Sequence, residues 1–261
     1  DAVAGLNSTS ELDFTIVFSV DVSDDAVYAG VNPVVVSVVV TEDDSAGVSV
    51  SRGSVFVAEG SSTMEAVSIA LDSEPTAYVL ISCVSNDTSE AVVSPSPLNF
   101  SAFSSAAQML YVTSQDDNTA DGSKSFVIDC TLTSQDVNYD GTFGFSISGI
   151  NIDDDVALLE VTRNGTATSE SGVSEVLLVR LTSEPFSPVT VTVASSNEAE
   201  GTSVPTTLVF SASNYSTEQS VTVQGQDDCY VDGAVAYNVT LMSSSADPSY
   251  DGLAIIETFS N

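Results

Sequence analysis

The sequence predicts an all-β protein made of tandem seven-stranded antiparallel β-sandwiches of the immunoglobulin-like type. Serine and threonine supply 68 of the 261 residues, valine dominates the apolar set and tryptophan is absent, a composition typical of β-sheet proteins. A segment of 110 to 111 residues repeats along the chain. Within each copy, short stretches alternate apolar and polar residues between turns rich in Gly, Pro, Asn and Asp.

The repeat defines three parts of the chain. The string LDSEP at Leu71–Pro75 recurs as LTSEP at Leu181–Pro185, and QDDNTADG starting at Gln115 recurs as QDDCYVDG starting at Gln226. The YDG at Tyr139 also recurs, and a YAG at Tyr28 continues the repeat backwards. We therefore predict the C-terminal part of a preceding repeat at 1–44, a full repeat at 45–155 and another at 156–261.

Residues 1–44 are expected to supply only the last two strands of their sandwich. Two strands that expose an apolar face such as Phe14, Ile16 and Phe18 are not independently stable in water. We expect this face to be covered by preceding strands of the same polypeptide or by strands of a neighbouring molecule. The chain is thus interpreted as a segment of something longer.

Seven strands are predicted in the first full repeat, in chain order. They fall at 48–58 with a break at Arg52-Gly53, then at 65–71, 78–84, 97–100, 108–114, 125–132 and 142–151. The sixth shows the alternation most cleanly, because Phe126, Ile128, Cys130 and Leu132 point one way. These side chains are predicted to line the core, with Tyr237, Val239 and Leu241 as the counterparts of the first three.

The net charge and the composition argue against several classes of function. Four basic residues against 37 acidic ones give a net charge of −33, which opposes binding to nucleic acid and to anionic membrane surfaces. No histidine is present, which removes the commonest general base and the imidazole ligands of zinc, copper and haem. No apolar run approaches the length of about 18 residues that a membrane span requires, so membrane insertion is not expected.

The order of motifs resembles the Calx-β and related sandwich repeats of large extracellular and adhesive proteins. The resemblance rests on the AEG turn at Ala58–Gly60, the LxSEP strand ends, the VSPSPLNFS segment at Val93–Ser101, and the QDD and DDD acids. It covers nearly the whole chain. In that family the acidic loops at one end of each sandwich bind calcium, and Asp121 and Asp232 stand here where the family has Glu. The resemblance therefore implies calcium as a cofactor.

The acids themselves favour one end of the sandwich. If strands alternate in direction, the first, third and fifth loops and the end of the last strand lie at one pole of the sandwich. A hard cation such as calcium, bound there, would take about six to eight oxygen ligands. The predicted metal ligands are Glu59, Asp116, Asp117, Asp121, Asp153, Asp154 and Asp155 in the first full copy, and Glu170, Asp227, Asp228 and Asp232 in the second. The alternative is that these aspartates are ordinary turn formers on an acidic surface.

The chain contains six sequons and three cysteines. Six Asn-x-Ser/Thr sequons are candidate glycosylation sites, although chance occurrence is a fair alternative: Asn7, Asn86, Asn99, Asn164, Asn214 and Asn238. Cys83 and Cys130 take inward positions on neighbouring predicted strands and are both aliphatic in the next copy. They form either a cross-strand disulfide or two buried small apolar residues. Cys229 is expected to be free or linked to another chain.

Three functions are candidates for this chain. The first is a non-enzymatic structural segment of a long extracellular stalk, filament or adhesin, rigidified by calcium at the junctions between domains, with neighbouring repeats or other filament copies as partners. The second is a calcium-sensing regulatory module of Calx-β type, for which a cytosolic setting would leave the sequons without use. The third is a carboxylate-based glycosidase, which no predicted cleft or sugar-stacking tryptophan supports. We favour the structural segment.

Overall fold

The structure is a computed structural model, and it describes residues 11–18, 24–28, 34–41, 43–227, 231 and 233–261, with the side chains of 11–14 excepted. The described chain is all-β, as the sequence predicts. None of the described residues forms a helix long and apolar enough to cross a membrane. The predictions at Asn7, Asp228, Cys229 and Asp232 lie outside the described residues.

The first element is a two-stranded sheet. Strands β1 (Glu11–Phe18) and β2 (Val34–Thr41) pair antiparallel over eight residues, from Glu11 opposite Thr41 to Phe18 opposite Val34. The described side chains of both strands are exposed apart from a half-buried Val38. Among the described residues of 1–44, these two strands are the only ones, and the extent of the repeat they belong to stays a prediction.

The first sandwich contains nine strands in two sheets, which are β3 (Val48–Val50), β4 (Ser54–Ala58), β5 (Glu65–Leu71), β6 (Val79–Ser85), β7 (Ala91–Ser94), β8 (Leu98–Phe100), β9 (Gln108–Ser114), β10 (Lys124–Ser134) and β11 (Phe145–Ile152). One sheet has the order β3-β5-β9-β7 and the other β4-β11-β10-β6-β8. Side chains from both sheets share one buried cluster. The alternating burial of β10 confirms the predicted inward positions.

The second sandwich repeats this plan with eight strands, which are β12 (Leu159–Arg163), β13 (Ser174–Leu181), β14 (Val189–Ser195), β15 (Gly201–Val204), β16 (Thr207–Phe210), β17 (Gln219–Gly225), β18 (Ala236–Ser245) and β19 (Ala254–Ser260). Its sheets have the orders β12-β13-β17-β15 and β16-β14-β18-β19. Tyr237, Val239 and Leu241 are buried in its core, as the repeat predicts.

The strand count exceeds the seven that the sequence predicts, for two reasons. The first predicted strand is divided at the Arg52-Gly53 break into β3 and β4, which belong to different sheets. An additional strand, β7, pairs with β9 before the chain crosses to the other sheet as β8. Pro95 and Pro97 separate β7 from β8, and proline lacks the N–H that a continuous ladder needs.

The two open alternatives for Cys83 and Cys130 are resolved by a disulfide between them. The two residues lie directly opposite each other on β6 and β10, with their Cα atoms 4.1 Å apart, and both are buried. Val193 and Leu241 occupy the equivalent opposed positions on β14 and β18. The second sandwich therefore fills the same place in its core with aliphatic packing.

A tyrosine in the turn after β10, and its counterpart after β18, anchors that turn to the LxSEP segment of the same copy. The Tyr139 hydroxyl donates to the Ser73 carbonyl at 2.7 Å and accepts the Ser73 N–H at 3.2 Å. The Tyr250 hydroxyl makes the same pair of bonds to Ser183, at 2.7 and 2.9 Å. The repeated LxSEP and YDG motifs thus mark two ends of one structural contact.

Residue contacts divide the chain into two compact units. The first comprises residues 1–57, 61–115 and 125–150, and the second comprises 58–60, 116–124 and 151–261. Three acidic segments that the repeat assigns to the first sandwich therefore cluster with the second one. They contain all seven metal ligands predicted for the first full copy. The predicted domain boundaries at 44 and 155 stay a prediction.

Candidate metal centre

The three acidic segments meet around Gly60, in the turn that follows β4. Gly60 has φ of +63°, a left-handed conformation that favours glycine. A Cβ at this position would lie 3.0 Å from Asp154 Oδ2 and 3.4 Å from Asp116 Oδ1. Two carboxylates from distant parts of the chain thus converge where no side chain intervenes. Aspartate oxygens of this kind are the ligands that Ca²⁺ prefers.

Asp155 shows the electrostatic consequence of this convergence. Burial raises the pKa of its carboxyl, and the negative charges of Asp153, Asp154, Asp117 and Asp116 raise it further. Its Oδ2 atom is shielded from solvent and makes no hydrogen bond within the described part of the chain. A shielded, unpartnered carboxylate oxygen surrounded by like charges is a position that a bound cation would stabilise.

Backbone N–H groups hold the carboxylates of Asp153 and Asp117, and a lysine pairs with that of Asp121. Asp153 accepts the Gly122 N–H at 2.6 Å and the Asp155 N–H at 2.9 Å. Asp117 accepts the Thr119 N–H at 2.7 Å, and Asp121 forms an ion pair with Lys124 at 3.1 Å. Asp121 is therefore turned toward the one lysine of the chain, while Asp153 links the 116–124 loop to the end of β11.

Glu59 is buried beneath the turn rather than exposed among the aspartates. Its Oε1 accepts a hydrogen bond from Asn151 Nδ2 at 2.8 Å, and its N–H donates to the Ile152 carbonyl at 3.0 Å. These bonds tie the turn after β4 to the end of β11. Glu59 thus positions the segment that carries Gly60.

The carboxylates approach one another, but they do not form a complete set of metal ligands among the described residues. Among the residues that the structure describes, no group of three or more His, Cys, Asp or Glu side chains is arranged to hold a metal ion as it stands. In the second copy Glu170 and Asp227 are exposed in loops. Which of these residues bind calcium stays a prediction.

The 116–124 loop is bonded to the second sandwich. Its Asn118 carbonyl accepts the Glu184 N–H at 2.6 Å, and its Ala120 carbonyl accepts the Ser249 hydroxyl at 3.3 Å. Burial raises the pKa of Tyr215, and the charges of Glu184 and Asp155 raise it further. The acidic group is therefore within electrostatic reach of the second sandwich and joined to it by hydrogen bonds.

Sequence reasoning missed the asparagines that close each copy. Asn151 Nδ2 bonds to Glu59, and Asn261 Nδ2 donates to the Gln226 carbonyl at 2.9 Å and to Glu200 Oε2 at 3.4 Å. The signal was present, since the two asparagines are 110 residues apart and each lies within one residue of the end of a closing strand. An amide at this place holds the loops without adding charge.

The described sequons differ in accessibility. Asn86, Asn99, Asn164 and Asn238 are exposed. Asn214 is half-buried, and its Nδ2 donates to the Val209 carbonyl at 3.3 Å. Because a glycan is attached at Nδ2, Asn214 is the least suited of these five to modification. Glycosylation itself stays a prediction.

Comparisons with known proteins find similarity of fold only. No protein-family model and no curated protein matches the sequence. Solved structures with a similar chain trace include calcium binding domain CBD12 of CALX1.1, at 15% identity and a TM-score of 0.33, covering 77% of this chain and 82% of that one. The periplasmic chaperone SfaE matches at 10% identity and a TM-score of 0.33, covering 80% and 97%. Domains 5-6 of the S-layer protein SbsC match at 14% identity and a TM-score of 0.27, covering 82% and 96%.

Proposed function

We propose that this chain is a structural segment of a long extracellular stalk, filament or adhesin, in which calcium stiffens the passage from one sandwich repeat to the next. No catalytic reaction is assigned to it. The repeat architecture supports this role, because consecutive copies follow each other with only residues 153–158 between β11 and β12.

The observation that carries the proposal is the pair of hydrogen bonds from the 116–124 loop to Glu184 and Ser249. The loop that would be ordered by a cation at Asp116 and Asp117 is also the loop that bonds to the second sandwich. Ordering it would therefore restrict motion between consecutive repeats. A cation would at the same time relieve the repulsion among the carboxylates around Asp155.

The side chains around Gly60 offer the type of oxygen ligand that calcium binds. Asp116, Asp117, Asp154 and Asp155 would supply carboxylate oxygens, with Asp153 assisting, and the shielded Oδ2 of Asp155 is an oxygen without a hydrogen bond. Glu59 would support the turn at Gly60 and Asp121 would assist after releasing Lys124. Calcium, when bound, supplies positive charge to this group and crosslinks its three segments.

The disulfide supports a location outside the reducing cytosol. Disulfides form and persist in oxidising compartments, and Cys83–Cys130 is a buried bond within the core of the first sandwich. This favours the structural role over the cytosolic sensing module.

Thermal unfolding with calcium and with chelator tests the proposal. Calcium at a thousandfold excess over its Kd should stabilise the folded chain by about 4 kcal/mol. Asp116→Asn/Asp154→Asn should abolish most of that gain. The matched control is Glu74→Gln/Glu218→Gln, which removes two charges from exposed glutamates elsewhere and should retain it.

Two results separate the alternatives. A melting curve that chelator does not move, with no anomalous scattering signal among these carboxylates in crystals grown with calcium, would reject the calcium site. A sensing module is indicated instead if micromolar calcium changes the hydrodynamic radius of the chain without raising its unfolding temperature.

A further inference from the structure

We propose that the two-stranded sheet β1–β2 is a docking surface for a strand pair of this same repeat type, in which one strand ends in Leu-x-Ser-Glu-Pro and the next adds to the free edge of β1. The inference deepens the proposed structural role, because it identifies how a further repeat unit would be completed on this chain. It does not depend on calcium.

One face of the β1–β2 sheet is apolar and exposed. Residues directly opposite each other in an antiparallel pair share a face, so Ile16 lies beside Val36 and Phe18 beside Val34. These side chains are substantially exposed, at 42% for Ile16 and 61% for Phe18. A contiguous apolar face of this kind marks an interaction surface.

The two complete copies show what this face is. The string FTIVFSV at 14–20 matches FVIDCTL at 126–132, which lies in β10, so that Phe18 corresponds to Cys130. In the second copy Leu241 holds this position, opposite Ile255 in the β18–β19 pair. Strands β1 and β2 are thus the counterparts of β10–β11 and β18–β19, whose inward faces are buried in their sandwiches.

The turn after β1 carries the same anchor as the two complete copies. Asp25 accepts the Val27 N–H at 2.8 Å through its side chain and the Tyr28 N–H at 3.0 Å through its carbonyl. Asp136 and Asp247 make the same two bonds ahead of their tyrosines. The turn is therefore already formed in the shape that presents a tyrosine to an LxSEP segment.

Tyr28 differs from its two counterparts in its exposure to solvent. Tyr139 and Tyr250 are buried and bond to the backbone of Ser73 and Ser183, whereas Tyr28 is 57% exposed. The LxSEP segments at Leu71–Pro75 and Leu181–Pro185 already supply these serines to the tyrosines of their own sandwiches. The hydroxyl of Tyr28 is thus positioned for the serine of a further LxSEP segment.

The edge of β1 away from β2 is the place where the next strand would add. In the complete copies the strand after LxSEP pairs antiparallel with the counterpart of β1, as β6 does with β10 and β14 with β18. Among the described residues, β1 and β2 form a sheet of two strands only. By the β14–β18 register, Phe18 would lie opposite the residue equivalent to Val193.

The apolar face, the exposed Tyr28 and the outer edge of β1 together indicate which partner would bind. A second copy of this chain has both of its LxSEP serines bonded to its own tyrosines, so its sandwiches would have to open before it could dock. The fitting partner is a repeat that offers its LxSEP strand and the following strand without its own last two strands. Strand addition of this kind combines backbone bonds at the edge with apolar side chains over the face.

A register-specific crosslink tests the inference. The probe is a synthetic peptide of residues 174–195, which contains both strands β13 and β14, with Val193→Cys. The target is the full chain in a Cys229→Ser background with Phe18→Cys. The native disulfide between Cys83 and Cys130 occupies the equivalent pair, so mild oxidation should join peptide and chain. The matched control, Val17→Cys, places the thiol on the opposite face and should crosslink at least about tenfold less.

The affinity of the unmodified peptide provides a second readout, measured with chelator present so that failure of the calcium site cannot affect it. Tyr28→Phe should weaken binding about tenfold, the loss expected for two hydrogen bonds, whereas Tyr78→Phe at another exposed tyrosine should not. Equal crosslinking at positions 17 and 18, or none at either, would overturn the inference. Crosslinking of two Phe18→Cys chains to each other in preference to the peptide would also overturn it, by identifying the hairpin of a second copy as the occupant.

Discussion

Replacing Tyr250 by Phe removes the buried hydroxyl that joins the turn after β18 to Ser183 in the second sandwich. That hydroxyl donates to the Ser183 carbonyl at 2.7 Å, accepts the Ser183 N–H at 2.9 Å and lies 2.7 Å from the Ser183 hydroxyl. Ser183 is fully buried, so water cannot replace the lost partner. Leaving a buried polar group unsatisfied costs about 1–3 kcal/mol, and two backbone groups are affected here. We expect Tyr250→Phe to lower the free energy of unfolding by about 3 kcal/mol.

The equivalent tyrosines provide graded comparisons. Ser73 is only half-buried, so Tyr139→Phe should cost less, about 1–2 kcal/mol. Tyr28 is exposed, and Tyr28→Phe should change stability by less than about 0.5 kcal/mol. All three variants lose the same atom, which isolates the effect of the surroundings.

Urea denaturation followed by hydrogen exchange measures this series. The Tyr250→Phe variant should show a lower midpoint at unchanged slope, with lost amide protection confined to 157–261. Equal losses for Tyr250→Phe and Tyr28→Phe would refute the reasoning, since burial of the serine would then have no influence. A loss below about 0.5 kcal/mol at Tyr250 would refute it as well.

Two further predictions concern pH and the disulfide. Burial would raise the pKa of Asp136, but hydrogen bonds from Thr76 and Asn138 outweigh it and hold that pKa below 3.8, whereas the pKa of Asp155 is raised above 3.8 by burial and neighbouring aspartates. In calcium-free unfolding measurements, Asp136→Asn should therefore lower the free energy of unfolding at about pH 7, and this loss should disappear as the pH falls through the folded pKa of Asp136. Asp155→Asn should instead raise the free energy of unfolding at about pH 7, and this gain should be absent below pH 3.8. The Cys83–Cys130 bond spans 47 residues, so Cys83→Ala/Cys130→Ala should lower the free energy of unfolding by about 4 kcal/mol. Cys83→Val/Cys130→Leu, which copies the second sandwich, should recover part of that loss by packing; equal stability of the two variants in calorimetry would contradict this.

The sequence by itself determined the fold class, the repeat and most strands. Alternation in β10 and β18 predicted which side chains are buried, because residues two apart in a strand share one face and only one face meets the core. The LxSEP and YDG motifs recur in both complete copies. They did not show that a tyrosine hydroxyl joins them, since the two motifs are 66 residues apart at Ser73 and Tyr139 and their contact depends on both sheets.

Only the tertiary structure decided which distant groups meet. The assignment of Asp116 and Asp154 to one pole follows from alternating strand directions, but their approach to Gly60 depends on how the turn after β4 is folded. The choice between a disulfide and two buried thiols at Cys83 and Cys130 depends on the register of β6 against β10, and a shift by one residue would turn the two side chains to opposite faces. The division of the first strand between two sheets was likewise undetermined, because local alternation describes the faces of a strand and carries no information about its neighbours.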